Sequence, residues 1–193
     1  MARSKTFDRN DVLDRAMEVF WHKGFEGASM AELLTAMGLG RGSVYDTFGD
    51  KRGLFTAVVE RYIDQRITEM IAPLITPEAA RDVVVSCFLK AAEQSAQDCN
   101  RKGCLMVNAA IEQAPHDREL ASRLQAGFRR VEDAYYQALV RARDCGEINP
   151  HRDLRAIAQS LVCVLQGLRV TARLNPDPLT LRHIAQTTLT ILD

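Results

Sequence analysis

The stretch Ala28-Ser-Met-Ala-Glu-Leu-Leu-Thr-Ala-Met-Gly-Leu-Gly-Arg-Gly-Ser-Val-Tyr-Asp-Thr-Phe-Gly-Asp-Lys51 decides the fold. Ser29 is placed to cap a short helix over Met30–Met37, with Glu32 three residues on completing a capping box. Gly38 and Leu39 make a turn, and a second short helix follows from about Arg41 to Thr47. Leu33, Leu39, Val44 and Phe48 fall where two such helices must pack, while small and polar residues occupy the exposed start of the second. A pair of short helices joined by a tight turn is what a DNA-reading helix-turn-helix needs: the first braces, and the second enters the major groove.

The surroundings continue the pattern. Upstream, Val12, Leu13, Ala16, Met17 and Phe20 recur at three- and four-residue steps, which predicts an amphipathic helix over about Asp8 to Lys23, ended by Gly24 in a left-handed conformation. Downstream, a helix beginning near Asp50 runs to about Ala72, before Pro73. Seven of the eleven glycines lie between Gly24 and Gly53, and the rest of the chain reads as longer helices. These are expected from beyond Pro77 to about Asp98, Cys104 to Ala114, Asp117 to Cys145, Leu154 to Leu174 and Leu179 to Leu192. Pro115, Gly146 and Asn175-Pro-Asp-Pro supply the breaks. The expectation is an all-α chain of about nine helices.

The run resembles the N-terminal domain of the TetR family of bacterial repressors. That pattern has a Ser or Thr cap, a short helix, Gly-hydrophobic, and then Gly-x-hydrophobic-Tyr-x-x-Phe-x-x-Lys. Ser29, Gly38-Leu39, Gly42, Val44-Tyr45, Phe48 and Lys51 fill those places, and Phe20-x-x-x-Gly24-Phe25 precedes them. The resemblance implies a DNA-binding domain over residues 6–66, with its helix-turn-helix at about 29–48. A helical ligand-binding and dimerisation domain follows over residues 67–193. The implied partners are double-stranded operator DNA, a second copy of the chain through about residues 154–192, and a small-molecule effector.

Chemistry assigns roles within the motif. Ser29 and Lys51 sit at helix N-termini, where backbone N–H groups favour phosphate, and Tyr45 can reach a phosphate through its hydroxyl. Such contacts position a protein without reading sequence. Arg41, Ser43 and Thr47 are placed for base edges, with Arg41 able to grip guanine in a bidentate way, and Gly42 allows a close approach. Arg3, Lys5 and Arg9 form a basic arm. Asp46 departs from the pattern: it either accepts from cytosine N4 or pairs back with Arg41 or Arg52, and the pairing is favoured.

Two features lie in the second half. Leu154, Ile157, Leu161, Leu165 and Leu168, widened by Val162, Val164 and Val170, form a broad apolar stripe that reads as a dimer interface, with a monomer core as the plainer alternative. Cys99-Asn-Arg-Lys-Gly-Cys-Leu-Met-Val-Asn108 places Cys104 at a helix N-terminus after Arg101 and Lys102, a setting that favours thiolate. Asn108 and Glu112 follow on the same face, and Glu112 is a candidate to bind a polar ligand or oppose the thiolate. The Gly-Cys-Leu run resembles a TetR subgroup that includes repressors of detoxification genes, in some of which a cysteine here answers electrophiles. A small buried core residue is the competing reading for Cys104. Phe88, Phe128, Tyr135, Tyr136, Met70 and Met106 are candidates to line a ligand pocket, or else plain core.

Composition narrows the classes. Of 193 residues, 25 are Lys or Arg and 25 Asp or Glu, so no blanket-basic nucleic-acid binder is present, although a local patch fits. The longest uncharged apolar run, residues 156–168, is too short to span a bilayer. The first residues carry no apolar signal segment, which together predicts a cytoplasmic protein with free thiols. No phosphate loop, HExxH or Gly-x-Ser-x-Gly points to an enzyme, and no metal set or cofactor is expected. A non-DNA-binding adaptor of the same fold would leave Ser29 to Lys51 unexplained.

Overall fold

The computed structural model describes residues 7–78, 80–98 and 100–193. Arg3, Lys5 and Cys99 lie outside the described residues. Among those described, all regular structure is helical, and the elements are set by local chemistry at their ends.

Helix α1 (Arg9–Gly27) is capped by Asp8, whose carboxylate accepts from the backbone N–H groups of Asn10 and Asp11. It does not stop at Lys23. Gly24 breaks it with φ of 74° and ψ of 179°, and one further turn follows. The short helix α2 (Met30–Met37) starts on a complete Ser29–Glu32 capping box and ends at Gly38 in the left-handed region. Helix α3 (Arg41–Phe48) and helix α4 (Lys51–Tyr62, capped by Asp50) complete the N-terminal unit. Val12, Leu13, Ala16, Met17 and Phe20 of α1 are all buried, and they pack mainly against α2 and α4. Phe55 of α4 meets Phe20 edge-on at 4.9 Å, and Arg61 grips Asp14 through two bonds of 2.6 Å.

The expected helix from Asp50 to Ala72 is one continuous rod but not one regular helix. A π turn occupies Ile63–Ile67, followed by α5 (Thr68–Ile71) and a 3₁₀ turn over Ala72–Ile75 that contains Pro73. Counting that rod once, nine helical rods are present among the described residues. The others are α6 (Arg81–Ala96), α7 (Leu105–Glu112), α8 (Arg118–Asp144), α9 (Leu154–Leu174) and α10 (Pro178–Leu189).

The apolar stripe of α9 has a different role from the one expected of it. Leu154, Ile157, Leu161, Leu165 and Leu168 are all buried within the single chain, where α9 packs on α6, α8 and α10. They form the core of the second unit. The exposed side of α9 is instead a line of small and apolar residues, Ser160, Cys163, Gly167, Val170 and Leu174.

Phe88, Tyr135 and Met106 are likewise core residues, at 0, 2 and 0 % exposure, and burial pushes the Tyr135 hydroxyl above its usual value. Among the described residues, no helix is long and apolar enough to cross a membrane.

Leu161 is fully enclosed, so Leu161→Ala should lower the unfolding free energy by about 2–5 kcal/mol, since deletion of a large core side chain leaves a cavity. Urea denaturation of the purified protein measures this directly.

Candidate nucleic-acid interface and the linked thiol site

Helix α3 has an unusual burial pattern. Only Val44 and Phe48 are buried, one helical turn apart, while Arg41, Gly42, Ser43, Tyr45, Asp46 and Thr47 are all exposed. Two anchors four residues apart hold a helix by one narrow edge. Everything else on α3 is then available to a partner.

The individual side chains are arranged as follows. The Arg41 guanidinium lies 6.0 Å from the Tyr45 ring centroid, and Tyr45 remains 43 % exposed. Open space surrounds Gly42. The Thr47 hydroxyl donates to the Ser43 carbonyl at 2.7 Å within its own helix. Ser29 Oγ accepts from the Glu32 N–H at 3.2 Å and is tied up in its cap. The Lys51 ammonium sits 4.6 Å above the Phe25 ring and 3.5 Å from the Glu26 carbonyl. Arg9 covers Phe48 at 5.6 Å.

Asp46 does not make the pairing favoured for it: Arg52 turns toward Asp117 at 3.7 Å, and Arg41 turns onto Tyr45. Glu32 is drawn well down, to about 2, by its hydrogen bond from Lys23 and then by those from Ser29. The brace helix therefore keeps its charged cap through the whole physiological range.

Behind this head lies a second constellation. Cys104 is the N-cap of α7 and is 2 % exposed. Arg101 and Lys102 were expected to attend its thiol, but the structure places another cation there. Lys102 pairs with Glu18 at 2.7 Å and lies 4.9 Å over the Trp21 ring. The group beside the thiol is Arg169 from α9, whose guanidinium is 3.2 Å from Sγ. Tyr62 adds a hydroxyl contact to Sγ at 3.6 Å.

Burial pushes the Tyr62 hydroxyl well up, and the adjacent Cys104 adds to this. Burial alone would lower the Arg169 value, but the neighbouring Cys104 and Tyr62 raise it, so this guanidinium stays charged. Nothing local in the sequence could reveal Arg169, since 65 residues separate it from the thiol. Of the other cysteines, Cys163 is exposed, and burial pushes the half-buried Cys87 thiol up.

A cavity of about 570 Å³ is bordered by Tyr62 and Arg169, the two side chains that contact the thiol. Its wall includes Trp21, Tyr62, Met70, Cys87, Lys90 and Arg169. Of the six candidate lining residues only Met70 borders it. Phe128 instead lines a separate groove with α9 residues such as Gln159, Val162 and Cys163.

Asn108 and Glu112 bind the segments together. Asn108 donates to the Lys102 carbonyl and accepts from Arg173, both at 2.9 Å. The Glu112 carboxylate accepts from the backbone N–H groups of Phe25 at 2.8 Å and Glu26 at 2.9 Å. It thereby caps the turn restarted after the Gly24 break. Trp21 completes the junction by donating to the Gly103 carbonyl at 3.2 Å. Residues 102–112 are thus fastened to α1 at both ends.

A short brace helix, an outward-facing second helix and an all-helical body with a cavity define a helix-turn-helix regulator. Comparison with known proteins gives the family. Residues 12–58 match the family described as bacterial regulatory proteins, tetR family, and residues 82–188 match the tetracyclin repressor-like C-terminal domain. The chain is 36 % identical to the HTH-type transcriptional regulator YezE of Bacillus subtilis, over 100 % of both chains. It is 34 % identical to the HTH-type transcriptional repressor ComR of Escherichia coli, covering 97 % of this chain and 90 % of ComR. Among solved structures, a cysteine mutant of the TetR family regulator CifR, complexed with double-strand operator DNA, superposes with a TM-score of 0.85. It is 30 % identical and covers 97 % of this chain and 98 % of its own. The chain belongs to the TetR family of bacterial transcriptional regulators.

The junction at Gly24 generates a stability prediction. A Cβ there would lie 2.9 Å from Glu112 Oε2, and the backbone has φ of +74°, so Gly24→Ala meets both strain and a clash. Glu112→Gln keeps the shape but turns an amide N–H toward a backbone N–H. Each variant should lose about 1–3 kcal/mol, read by thermal and urea unfolding against wild type.

Proposed function

We propose that the chain is a dimeric repressor that leaves its operator when a small molecule or an electrophile occupies the region around Cys104. The observation that carries the reading is α3, which commits two residues to packing and presents six to a groove. In this reading Arg41, Ser43 and Thr47 meet base edges. Tyr45 meets a phosphate, Gly42 permits close approach, and Ser29 and Lys51 contribute through the N-termini of α2 and α4. With no intramolecular partner among the described residues, the Asp46 carboxylate is free to accept from a cytosine amine. We place the DNA-binding domain at residues 6–66 and the regulatory domain at residues 67–193.

A helix-turn-helix regulator reads two half-sites as a dimer, and the exposed line of α9 supplies the face. Ser160, Cys163, Gly167, Val170 and Leu174 follow a three- and four-residue spacing, with Val170 40 % and Leu174 82 % exposed. Open space surrounds Gly167, which lets a second helix approach closely. The interface within residues 154–192 is then the outer side of α9, not its leucine side.

The route from effector to DNA runs through residues 102–112. A ligand beside Trp21, or an adduct at Cys104, displaces a segment whose far end holds α1 through Glu112, and α1 packs on α2 and on α4, which in turn carries α3. The chain works by binding and not by turnover, and its place of action is the cytoplasm, where the chromosome lies. The FadR structure of Bacillus subtilis, similar in fold, is in complex with stearoyl-CoA, an example of a ligand-holding body of this kind.

Fluorescence anisotropy with the operator and with random duplex tests the first part. Arg41→Ala should lose about 1–3 kcal/mol on the operator and little on random DNA, whereas Tyr45→Phe should weaken both alike. Equal losses for Arg41→Ala on the two duplexes would remove it as a base reader. Gly167→Arg should yield a folded monomer by sedimentation and bring operator affinity to the half-site level. A dimer that persists would place the interface elsewhere.

A further inference from the structure

The wall of the 570 Å³ cavity carries five cations, Arg66, Lys90, Lys102, Arg169 and Arg173, against two carboxylates, Glu69 and Asp98. Two of the cations are already balanced. Arg66 meets Glu69 at 3.6 Å and Lys102 meets Glu18 at 2.7 Å. Asp98 is used by the Gly103 N–H at 2.8 Å. Among the described residues, Lys90, Arg169 and Arg173 have no carboxylate within ion-pair distance. Arg173 stands at the rim, where it donates to Asn108.

Arg169 is the informative one. Among the described residues its guanidinium hydrogen-bonds only to sulfur, Cys104 Sγ at 3.2 Å and Met70 Sδ at 3.0 Å. Thioethers and thiols are weak acceptors, and a guanidinium carries five N–H donors. Two are spent on these contacts, and the others have no protein acceptor among the described residues. A charged fork inside a protein, short of acceptors, is costly unless something anionic completes it. The thiol takes one of these donors, and Cys104 does not itself border the cavity, whereas Arg169 does. The open donors therefore face the cavity. Trp21, Tyr62, Ile67, Met70 and Ala91 supply an apolar and aromatic wall beside the fork. A volume of several hundred cubic ångströms suits a small organic molecule.

We propose that this cavity binds an organic acid, with its anionic headgroup on the Arg169 fork and Lys90 and its apolar body along Trp21, Tyr62 and Met70. The assignment rests on the effector reading above and gives that effector its chemical class. Bidentate recognition of an oxyanion is what an Arg fork does best, and the charge-assisted bonds it makes are the strong ones. The ligand also meets the regulatory route directly. Trp21 belongs to α1 and donates to Gly103, so a body lying on its ring touches the residues that lead to Glu112.

The protein carries its own reporter, because Trp21 is the single tryptophan in the chain. The full-length protein is titrated with benzoate, octanoate and octyl phosphate, and in parallel with benzamide and octanamide, while Trp21 emission is followed. The acids should change the emission saturably, and each amide should bind at least about tenfold more weakly than its acid. The octanoate and octyl phosphate arms distinguish a carboxylate from a phosphate headgroup. Arg169→Gln should bring the acids to the level of the amides. Lys90→Gln, at an exposed position that leaves the fold intact, should weaken the acids severalfold and leave the amides unchanged.

Amides that bind as well as acids, acid affinities untouched by Lys90→Gln and Arg169→Gln, or no saturation by any acid at millimolar concentration would each overturn the proposal. Operator anisotropy in the same samples separates it from the effector reading. Acid binding without operator release keeps the ligand class and removes the effector role. Release by uncharged compounds, with no preference for acids, does the reverse.

Discussion

Two hydrogen bonds hold the molecule's two halves in register. The Glu112 carboxylate accepts from the N–H groups of Phe25 and Glu26, which are exposed only because Gly24 breaks α1 one turn from its end. The interaction depends on a residue without a side chain on one side and an anion on the other. An unbroken helix would have turned those donors inward to its own carbonyls. The junction also carries ion pairs between partly exposed side chains, Arg52 with Asp117 and Arg123 with Glu60, and such pairs contribute little. The carboxylate clamp, with the Trp21 bond to Gly103, defines how the reading head sits on its body.

That arrangement makes α7 a short lever. It begins at Cys104, in contact with Arg169 and Tyr62, and ends at Glu112. Its eight residues lie between the thiol and the clamp on α1, the path that the proposed effector route takes. Since packed interiors switch between arrangements and do not stretch, a change at one end of so short an element reaches the other largely undiminished.

The sequence exposed this plan unevenly, for physical reasons. Capping and turn chemistry act over three or four residues, so Ser29, Glu32, Gly38 and the bounds of α9 could be read almost to the residue. The π turn at Ile63–Ile67 could not, because apolar periodicity continues through it. The stripe on α9 was legible as a stripe, but periodicity does not say which body covers it. Leu161 and Leu165 prove to be interior, while the less apolar Ser160–Leu174 line is left open. Arg169 lay beyond reach altogether. Its meeting with Cys104 is a product of helix packing, whereas Lys102, near in sequence, is drawn away toward Glu18 and Trp21.

The sparse anchoring of α3 has an evolutionary consequence. Val44 and Phe48 carry its packing, and the other six residues contribute almost nothing to the core. Substitutions at such exposed positions usually change stability by no more than about 0.5 kcal/mol. The surface proposed to meet DNA can therefore be rewritten almost independently of the rest of the chain. A lineage can move this regulator to a new promoter by drift at six positions without relearning how to fold, and without disturbing what its body detects.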